Sequence, residues 1–520
     1  MHDAKLTLDR SETIGDTDPR LFGAFVEHLG RCVYGGLFEP DHPTATKEGF
    51  RGDVLELVRE LGATIVRYPG GNFVSGYDWE DGVGPVEDRP RQLDLAWFTI
   101  EPNTFGTNEF MDWCRAAELE PMMAVNLGTR GPDAARRLVE YCNFPEGTKF
   151  SDMRRAHGWE KPHDVKFWCL GNEVDGPWQM GAKTATEYGR VATEAAKLMK
   201  LVDPTIELAA VGSSGHNMPT FGAWEREVLE HTFDHVEFIS LHTYLNDYAG
   251  DTPAFLASPD RMDGFIEEVV GIADAVAEAR GSDKRIHLSF DEWNVWYRTR
   301  RGNDRKEAGW PIAPHILEEV YSMKDALAFG GMCVSLLNHA DRVKCACLAQ
   351  LVNAIAPILT APGGPAWRQT IFWPFADFAK LGRGTVLKVG VESPTYDCVY
   401  GDPRGATALE YPMTDVPFLK AAAVHSADDR TLTLFLLNRS LDTPMTVSVD
   451  AQGFGGLMPA QATTLRHNDL DAINTQDEGP VAPVPLDGVV ASEGGLSITI
   501  PAASWNVVRV NIAGRIAGSA

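Results

Sequence analysis

Short apolar runs recur along the first three quarters of the chain: "LFGAFVEH" from Leu21, "ATIVRYPGGN" from Ala63, "PMMAVNLG" from Pro121, "VKFWCLGNE" from Val165, "ELAAVGSSG" from Glu207, "VEFISLHTY" from Val236, "IHLSFDEWN" from Ile286 and "GMCVSLLNH" from Gly331. Between them lie segments with a period near 3.6. In "RMDGFIEEVVGIADAVAEAR", Phe265, Val269, Ile272 and Val276 fall on one helical face, and "TATEYGRVATEAAKLMK" from Thr184 and "HILEEVYSMKDALAFG" from His315 read the same way. Runs that are continuously apolar rather than alternating predict strands covered on both faces, and alternation with helices predicts parallel, right-handed crossovers. Eight such units predict an α/β fold, a (β/α)8 TIM barrel over residues 18–379. An open doubly wound sheet is disfavoured, because "FVEHLGRCVYGG" lacks the phosphate-binding G-x-G-x-x-G.

After Ala379 the texture changes. "TLTLFLLN", "MTVSVD", "LSITI" and "NVVRVNI" are short strands separated by turn residues, which predicts a C-terminal all-β sandwich over residues 380–520. Residues 1–17 contain "KLTL", one more strand whose partner the pattern alone leaves open.

Composition narrows the partners. Lys plus Arg number 47 against 73 Asp plus Glu, a net charge of −26 without a basic run, so nucleic acid and membrane surfaces are poor expectations and a neutral ligand fits. The N-terminus has neither the cationic start nor the apolar core of a secretion signal, and no long uncharged apolar span occurs, which predicts a cytoplasmic protein. Most of the eight cysteines sit in apolar segments, as reduced core thiols do. Cys345 and Cys347 form the one close pair, and without a second pair the expectation is no metal and no cofactor.

In a β/α barrel the carboxyl ends of the strands share one mouth. Those ends carry Glu27-His28, Arg67 with Gly70-Gly71-Asn72, Asn126, Asn172-Glu173, His242 and Tyr244, Asp291-Glu292, and Asn338-His339. Carboxylates on the fourth and seventh strands stand nearly opposite, the equipment of glycoside hydrolysis: Glu173 to protonate the leaving oxygen, Glu292 to attack or guide water. Arg67 and Tyr244 would hold Glu292 ionised, and Asn172 would bond a sugar hydroxyl. Trp97, Trp178, Trp293, Trp296 and Tyr297 fall near the mouth as platforms for a sugar's C–H face or as caps on the barrel core. Alternation along the strand predicts that Asp291 points away from Glu292, as a structural partner. A lone strand-end Glu is more often a solvated loop residue, and single histidines such as His242 and His339 are more often structural; the joint pattern carries the expectation.

The segments "FGAFVEHLGRCVYGGLFEP", "RYPGGNFVSGYDWEDGVGP", "IEPNTFGTNEFMDWC", "LGNEVDGPWQMG", "SLHTY", "DEWNVWY" and "NHADRVKCACLAQLVNAIAPI" resemble, in order and over essentially the whole chain, the α-L-arabinofuranosidases of glycoside hydrolase family 51. The resemblance implies a jelly-roll sandwich to which the N-terminal strand contributes. It also implies exo-acting release of terminal arabinofuranose from arabinan- or arabinoxylan-derived oligosaccharides by double displacement. Glu173 would be the acid/base and Glu292 the nucleophile. Glu27, Asn72, Asn172 and Gln350 would hold furanose hydroxyls; His242 and Tyr244 would position the nucleophile with support from Arg67; Trp178 and Trp296 would shape the pocket. It further implies metal independence and a homo-oligomer, often a hexamer. The loops "HTYLNDYAGDTPAFLASPDRM" and "RTRRGNDRKEAGWPIAP" do not match the family residue by residue and border the leaving-group side. The rival readings are another specificity on the same machinery (endo-β-glucanase, β-xylosidase or galactofuranosidase) and a sugar-binding protein on an inactive barrel.

Overall fold

The computed structural model describes residues 1–297, 309–402, 409–492 and 494–513. Most of the segment "RTRRGNDRKEAGWPIAP", residues 298–308, lies outside them.

The chain begins in strand β1 (His2–Asp16), crosses into a barrel, and returns to the sheet that β1 belongs to. The barrel strands are β2 (Gly23–Phe25), β3 (Ile65–Tyr68), β4 (Glu120–Ala124), β5 (Phe167–Cys169), β6 (Glu207–Ala210), β7 (Phe238–Leu245), β8 (His287–Val295) and β9 (Val343–Ala349), closed in that order by pairing of β9 with β2. Every pair is parallel. Side chains such as Phe25, Ile65, Met122, Phe167, Phe238, Cys345 and Cys347 fill the interior, so the barrel is a packed core rather than a pore. Helices cover the outside by amphipathic stripes. In Pro259–Ala279 the buried positions include Met262, Phe265, Ile266, Val269, Ala273 and Val276, and Ala185–Val202 starts at Thr184, whose hydroxyl accepts from the Glu187 amide while Glu187 accepts from the Thr184 amide.

The eighth barrel strand is not the one expected. "GMCVSLLNH" belongs to the helix Met323–Asn338, and β9 follows it in "VKCACLA". The helix is buried on every side: Trp293 of β8 stacks near Phe329, while Trp505 and Leu437 of the C-terminal sheet close on Gly330 and Gly331. A helix apolar all round loses its 3.6 periodicity and reads as a buried strand. Asn338 and His339 therefore lie away from the mouth, Asn338 donating to the Ala421 carbonyl and His339 facing Asp263.

The last quarter of the chain forms, together with β1, a ten-stranded sheet in which β1 pairs antiparallel with Thr385–Glu392 and parallel with Met445–Gln452. It curls so that Leu6 and Leu8 of β1 share one core with Leu434, Leu436, Val447, Ile498 and Val508. The alternation of "TLTLFLLN" gives way to a continuous apolar run at its end because Leu434 and Leu436 enter that core while Phe435 and Leu437 face the barrel side.

Lys420 of this sheet reaches the barrel helix Pro259–Ala279, where its ammonium lies 2.8 Å from Asp260 and 2.6 Å from Asp263; Arg439 also bonds Asp260. Removing the buried cation leaves its carboxylates short of a partner, so Lys420→Met is expected to lower unfolding stability by about 3 kcal/mol in urea titration. No loss would mean that this contact does not fasten the two halves.

Candidate active site

At the carboxyl ends of the barrel strands a cavity of about 480 Å³ opens. Glu27, Asn72, Glu173, Trp178, Tyr244, Glu292, Trp296 and Gln350 line it, with Trp97, Phe98, Leu95 and Ser214 among their neighbours. Arg67, Asn172 and His242 lie directly behind this lining and are buried.

Glu173 and Glu292 face each other. Together with His242 they present side-chain ligand atoms all within 4.8 Å of one another. Glu292 Oε1 accepts from Arg67 Nη1 at 2.9 Å and Oε2 from the Tyr244 hydroxyl at 2.8 Å. Arg67 Nη2 donates to Asn172 Oδ1 at 2.6 Å, and Asn172 Nδ2 reaches Asn72 Oδ1 at 3.4 Å. Glu173 Oε2 accepts from Trp178 Nε1 at 2.7 Å, and Glu173 Oε1 is 3.0 Å from His242 Nδ1.

His242 joins the carboxylates. Its Nδ1 also lies 3.5 Å from Glu292, and its Nε2 is 3.0 Å from Asp291 Oδ1. Burial works against its charge, but Glu292, Asp291 and Glu173 outweigh burial and hold the imidazolium well above its ordinary value. Both ring nitrogens are then donors. Complete burial pushes Glu292 up, His242 pulls it down, Glu173 pushes it up again and Arg67 pulls it down; the net direction is upward. Two buried carboxyls this close do not readily ionise together, and the donors from Arg67 and Tyr244, with the His242 charge 3.5 Å away, favour the negative charge on Glu292. The three groups are also close enough together to surround a metal ion. Two cations in contact with their oxygens make the position a poor fit for a divalent ion.

Asp291 also faces inward. The pairing of β8 with β7 runs Ser289↔Ser240 and then Glu292↔His242, three residues against two, and this bulge turns the consecutive acids Asp291 and Glu292 to the same side. Strand alternation therefore fails here. Asp291 Oδ2 lies 3.5 Å from Arg67 Nε and from Cys169 Sγ. Burial would raise its carboxyl, but Arg67 and His242 hold it below the usual value.

On the opposite wall Glu27 Oε1 accepts from the Phe73 amide and the Trp97 indole, each at 2.9 Å, and Oε2 accepts from Gln350 Nε2 at 3.0 Å. The glycine at 71 is required by this contact, since a Cβ there would stand 2.4 Å from Glu27 Oε2. Burial pushes the Glu27 carboxyl up to about 8, against the Phe73 and Trp97 donors. A carboxyl raised in the folded state contributes stability that is complete below its unfolded value near 4.5 and is lost as pH rises through about 8. Glu27→Gln removes this titration, and the Gln350 amide, whose Oε1 is buried without a partner among the described residues, can flip to receive the new amide. Between pH 5 and 8, roughly, the melting temperature of the unaltered chain is expected to fall more steeply than that of the variant. Parallel slopes in calorimetry would rule out a neutral Glu27.

The remaining strand-end residues do other work. Asn126 ties its own loop, accepting from the Gly128 and Thr129 amides at 3.0 Å, and His28 is buried between Tyr68 and Glu101. Trp293 packs outside the barrel on Phe329 and Phe375, and Tyr297 donates to Asp325, so neither lines the cavity. Two residues that the strand-end reading passed over complete the site: Asp175, pushed up to about 6 by burial and bonded to the Ser214 amide and hydroxyl, and Ser214 itself.

A closed β/α barrel with two carboxyls facing across a sugar-sized cavity defines a glycoside hydrolase. Family models match residues 57–260, as the α-L-arabinofuranosidase 1 domain, and residues 291–504, as the α-L-arabinofuranosidase C-terminal domain. An intracellular exo-α-(1→5)-L-arabinofuranosidase of Bacillus subtilis is 51% identical over 98% of this chain and 99% of its own length. An exo-α-(1→6)-L-arabinofuranosidase of Bifidobacterium longum is 47% identical over 98% of each. The solved structure of a family 51 α-L-arabinofuranosidase from Bifidobacterium longum superposes with a TM-score of 0.91 at 44% identity, covering 98% of this chain and 99% of that one. The chain belongs to the family 51 α-L-arabinofuranosidases.

Proposed function

We propose that this α-L-arabinofuranosidase is an exo-acting, retaining enzyme that releases terminal arabinofuranose from (1→5)-linked arabino-oligosaccharides by double displacement. One observation carries the mechanism: Glu173 and Glu292 oxygens lie within 4.8 Å, closer to the 5–5.5 Å or so of a retaining pair than to the 6.5–9.5 Å, roughly, that an inverting pair leaves for water.

In the first step Glu292 attacks the anomeric carbon while the bond to the leaving oxygen breaks, and Glu173 gives that oxygen its proton. In the second, Glu173 takes a proton from water, the water oxygen attacks the same carbon, and Glu292 departs. Arg67, Tyr244 and His242 keep the charge on Glu292 before attack and receive it again on departure. The wall of Glu27, Trp97 and Gln350 gives the cavity the closed end that an exo enzyme needs, with Asn72 and Asn172 beside it for further hydroxyls. Trp178 and Trp296 offer apolar faces at the rim, Trp178 half exposed at 52%.

The (1→5) preference rests on the relative from Bacillus subtilis, against the (1→6) name of the relative at 47% identity. The word intracellular in the former name supports an intracellular placement, and among the described residues no helix is long and apolar enough to cross a membrane. Family membership supports a homo-hexamer, to be read as a light-scattering mass six times that of the chain.

A panel of nitrophenyl glycosides and linked disaccharides tests the reading. Turnover of the α-L-arabinofuranoside and of (1→5)-arabinobiose ahead of an α-L-arabinofuranosyl-(1→6)-hexose is expected. An inert arabinofuranoside alongside an active xyloside or glucan refutes it.

A further inference from the structure

Beside the sugar cavity a second pocket of about 150 Å³ opens between the loop after β6, the end of β7 and a hairpin of the C-terminal half, Thr395–Asp402 with Leu409–Pro417. It shares Ser214, Tyr244 and Trp296 with the cavity, so the two spaces are adjacent. Its lining is mostly aromatic and amide, with Arg261 and His216 as its ionisable groups, His216 stacked on Phe265. Tyr400 pairs across the hairpin with Tyr411, and the Arg261 guanidinium carbon stands 3.3 Å from the Tyr411 ring centre and 5.5 Å from that of Tyr400. The Asn246 amide donates to the Tyr400 hydroxyl at 3.1 Å, and Asn217 adds a neutral polar side chain. With its cation spread over two rings, the pocket offers ring faces and neutral hydrogen-bonding groups, the set that suits an uncharged polyol.

Its position fixes which part of a substrate reaches it. Ser214 donates to Asp175 through its amide at 3.0 Å and its hydroxyl at 3.2 Å, and Asp175 follows Glu173 by two residues. The pocket thus opens on the side of the proton donor, where the severed oxygen departs, whereas Glu27 and Gln350 close the other wall. We propose that this pocket is a leaving-side subsite that takes the second sugar beyond the cleaved bond of a neutral oligosaccharide. The hairpin would then give the C-terminal half a share in choosing substrates. This inference rests on the glycosidase reading above.

Two variants of the full chain test it: Tyr411→Ala, which removes a ring face, and Asn217→Trp, which fills the pocket from an exposed position and leaves its packing intact. kcat/KM is measured for nitrophenyl α-L-arabinofuranoside, arabinobiose and arabinotriose, which place no sugar, one sugar and two sugars on the leaving side. The ratio of trisaccharide to disaccharide is expected to fall about tenfold in both variants, the size of one ring contact, with the nitrophenyl value unchanged. An unchanged ratio in Asn217→Trp, or an equal fall on all three substrates, overturns the subsite while leaving the enzyme's activity established. An unaltered chain inert toward the nitrophenyl arabinofuranoside would overturn the glycosidase reading instead.

Discussion

Glu292→Ala is expected to lower kcat/KM on nitrophenyl α-L-arabinofuranoside by about 10⁴-fold, ~5 kcal/mol of barrier, with no comparable loss of folding stability. Stability should hold because the carboxyl is a costly buried charge whose removal also relieves Glu173. The donors left behind by Arg67, Tyr244 and His242 still converge on the vacated volume. Azide, a small anion, fits that volume and is met by the same donors. It would attack the anomeric carbon from the face Glu292 used, in a single displacement, so the expected product is the β-L-arabinofuranosyl azide, inverted relative to substrate. A variant with near-normal hydrolysis, or rescue giving only the α-azide, would remove Glu292 from the bond-forming step.

Glu173→Ala should behave differently, and the difference separates the two carboxyls. Its loss falls on the leaving group. Arabino-oligosaccharides, whose leaving alkoxide needs a proton, are expected to lose about 10³-fold in kcat/KM, while the nitrophenyl substrate, whose phenolate leaves unaided, loses about 10-fold. Azide then intercepts the glycosyl-enzyme on Glu292 and returns the α-azide, retained after two displacements. Equal losses on both substrates would mean that Glu173 does not protonate the leaving oxygen. His242, 3.0 Å from Glu173 and 3.5 Å from Glu292, keeps its place beside the carboxyl that remains in either variant.

The parts of this site that the sequence makes legible are those where an apolar run stops abruptly at a polar group. Asn172-Glu173 after "VKFWCLG" and Arg67 within "ATIVRY" are of this kind, and in the structure they meet over three adjacent strands. Two features resist such reading for identifiable reasons. The bulge in β8 adds a residue that no pattern of apolar and polar positions records, so Asp291 is assigned to the wrong face although it bonds His242. The helix Met323–Asn338 is enclosed by barrel and sheet together, so its sequence has no polar face and imitates a strand. The true eighth strand, "VKCACLA", places Cys345, Cys347 and Ala349 in the narrow barrel interior, and these small residues look nothing like the branched runs of its neighbours. Gln350, immediately after it, was reachable through the family resemblance and not through strand-end logic. The joining of β1 to the C-terminal sheet is likewise a long-range pairing, in which Lys5 lies opposite Glu392 and beside Ser448, that local pattern cannot specify.

Retention requires Glu173 and Glu292 to flank one anomeric carbon too closely to admit a water between them and that carbon. Proton NMR of the sugar first released, recorded before mutarotation, reads this directly. α-L-Arabinofuranose is expected first and the β anomer only later; β-L-arabinofuranose as the first-formed product would mean a single inverting displacement and refute the pairing of Glu173 with Glu292.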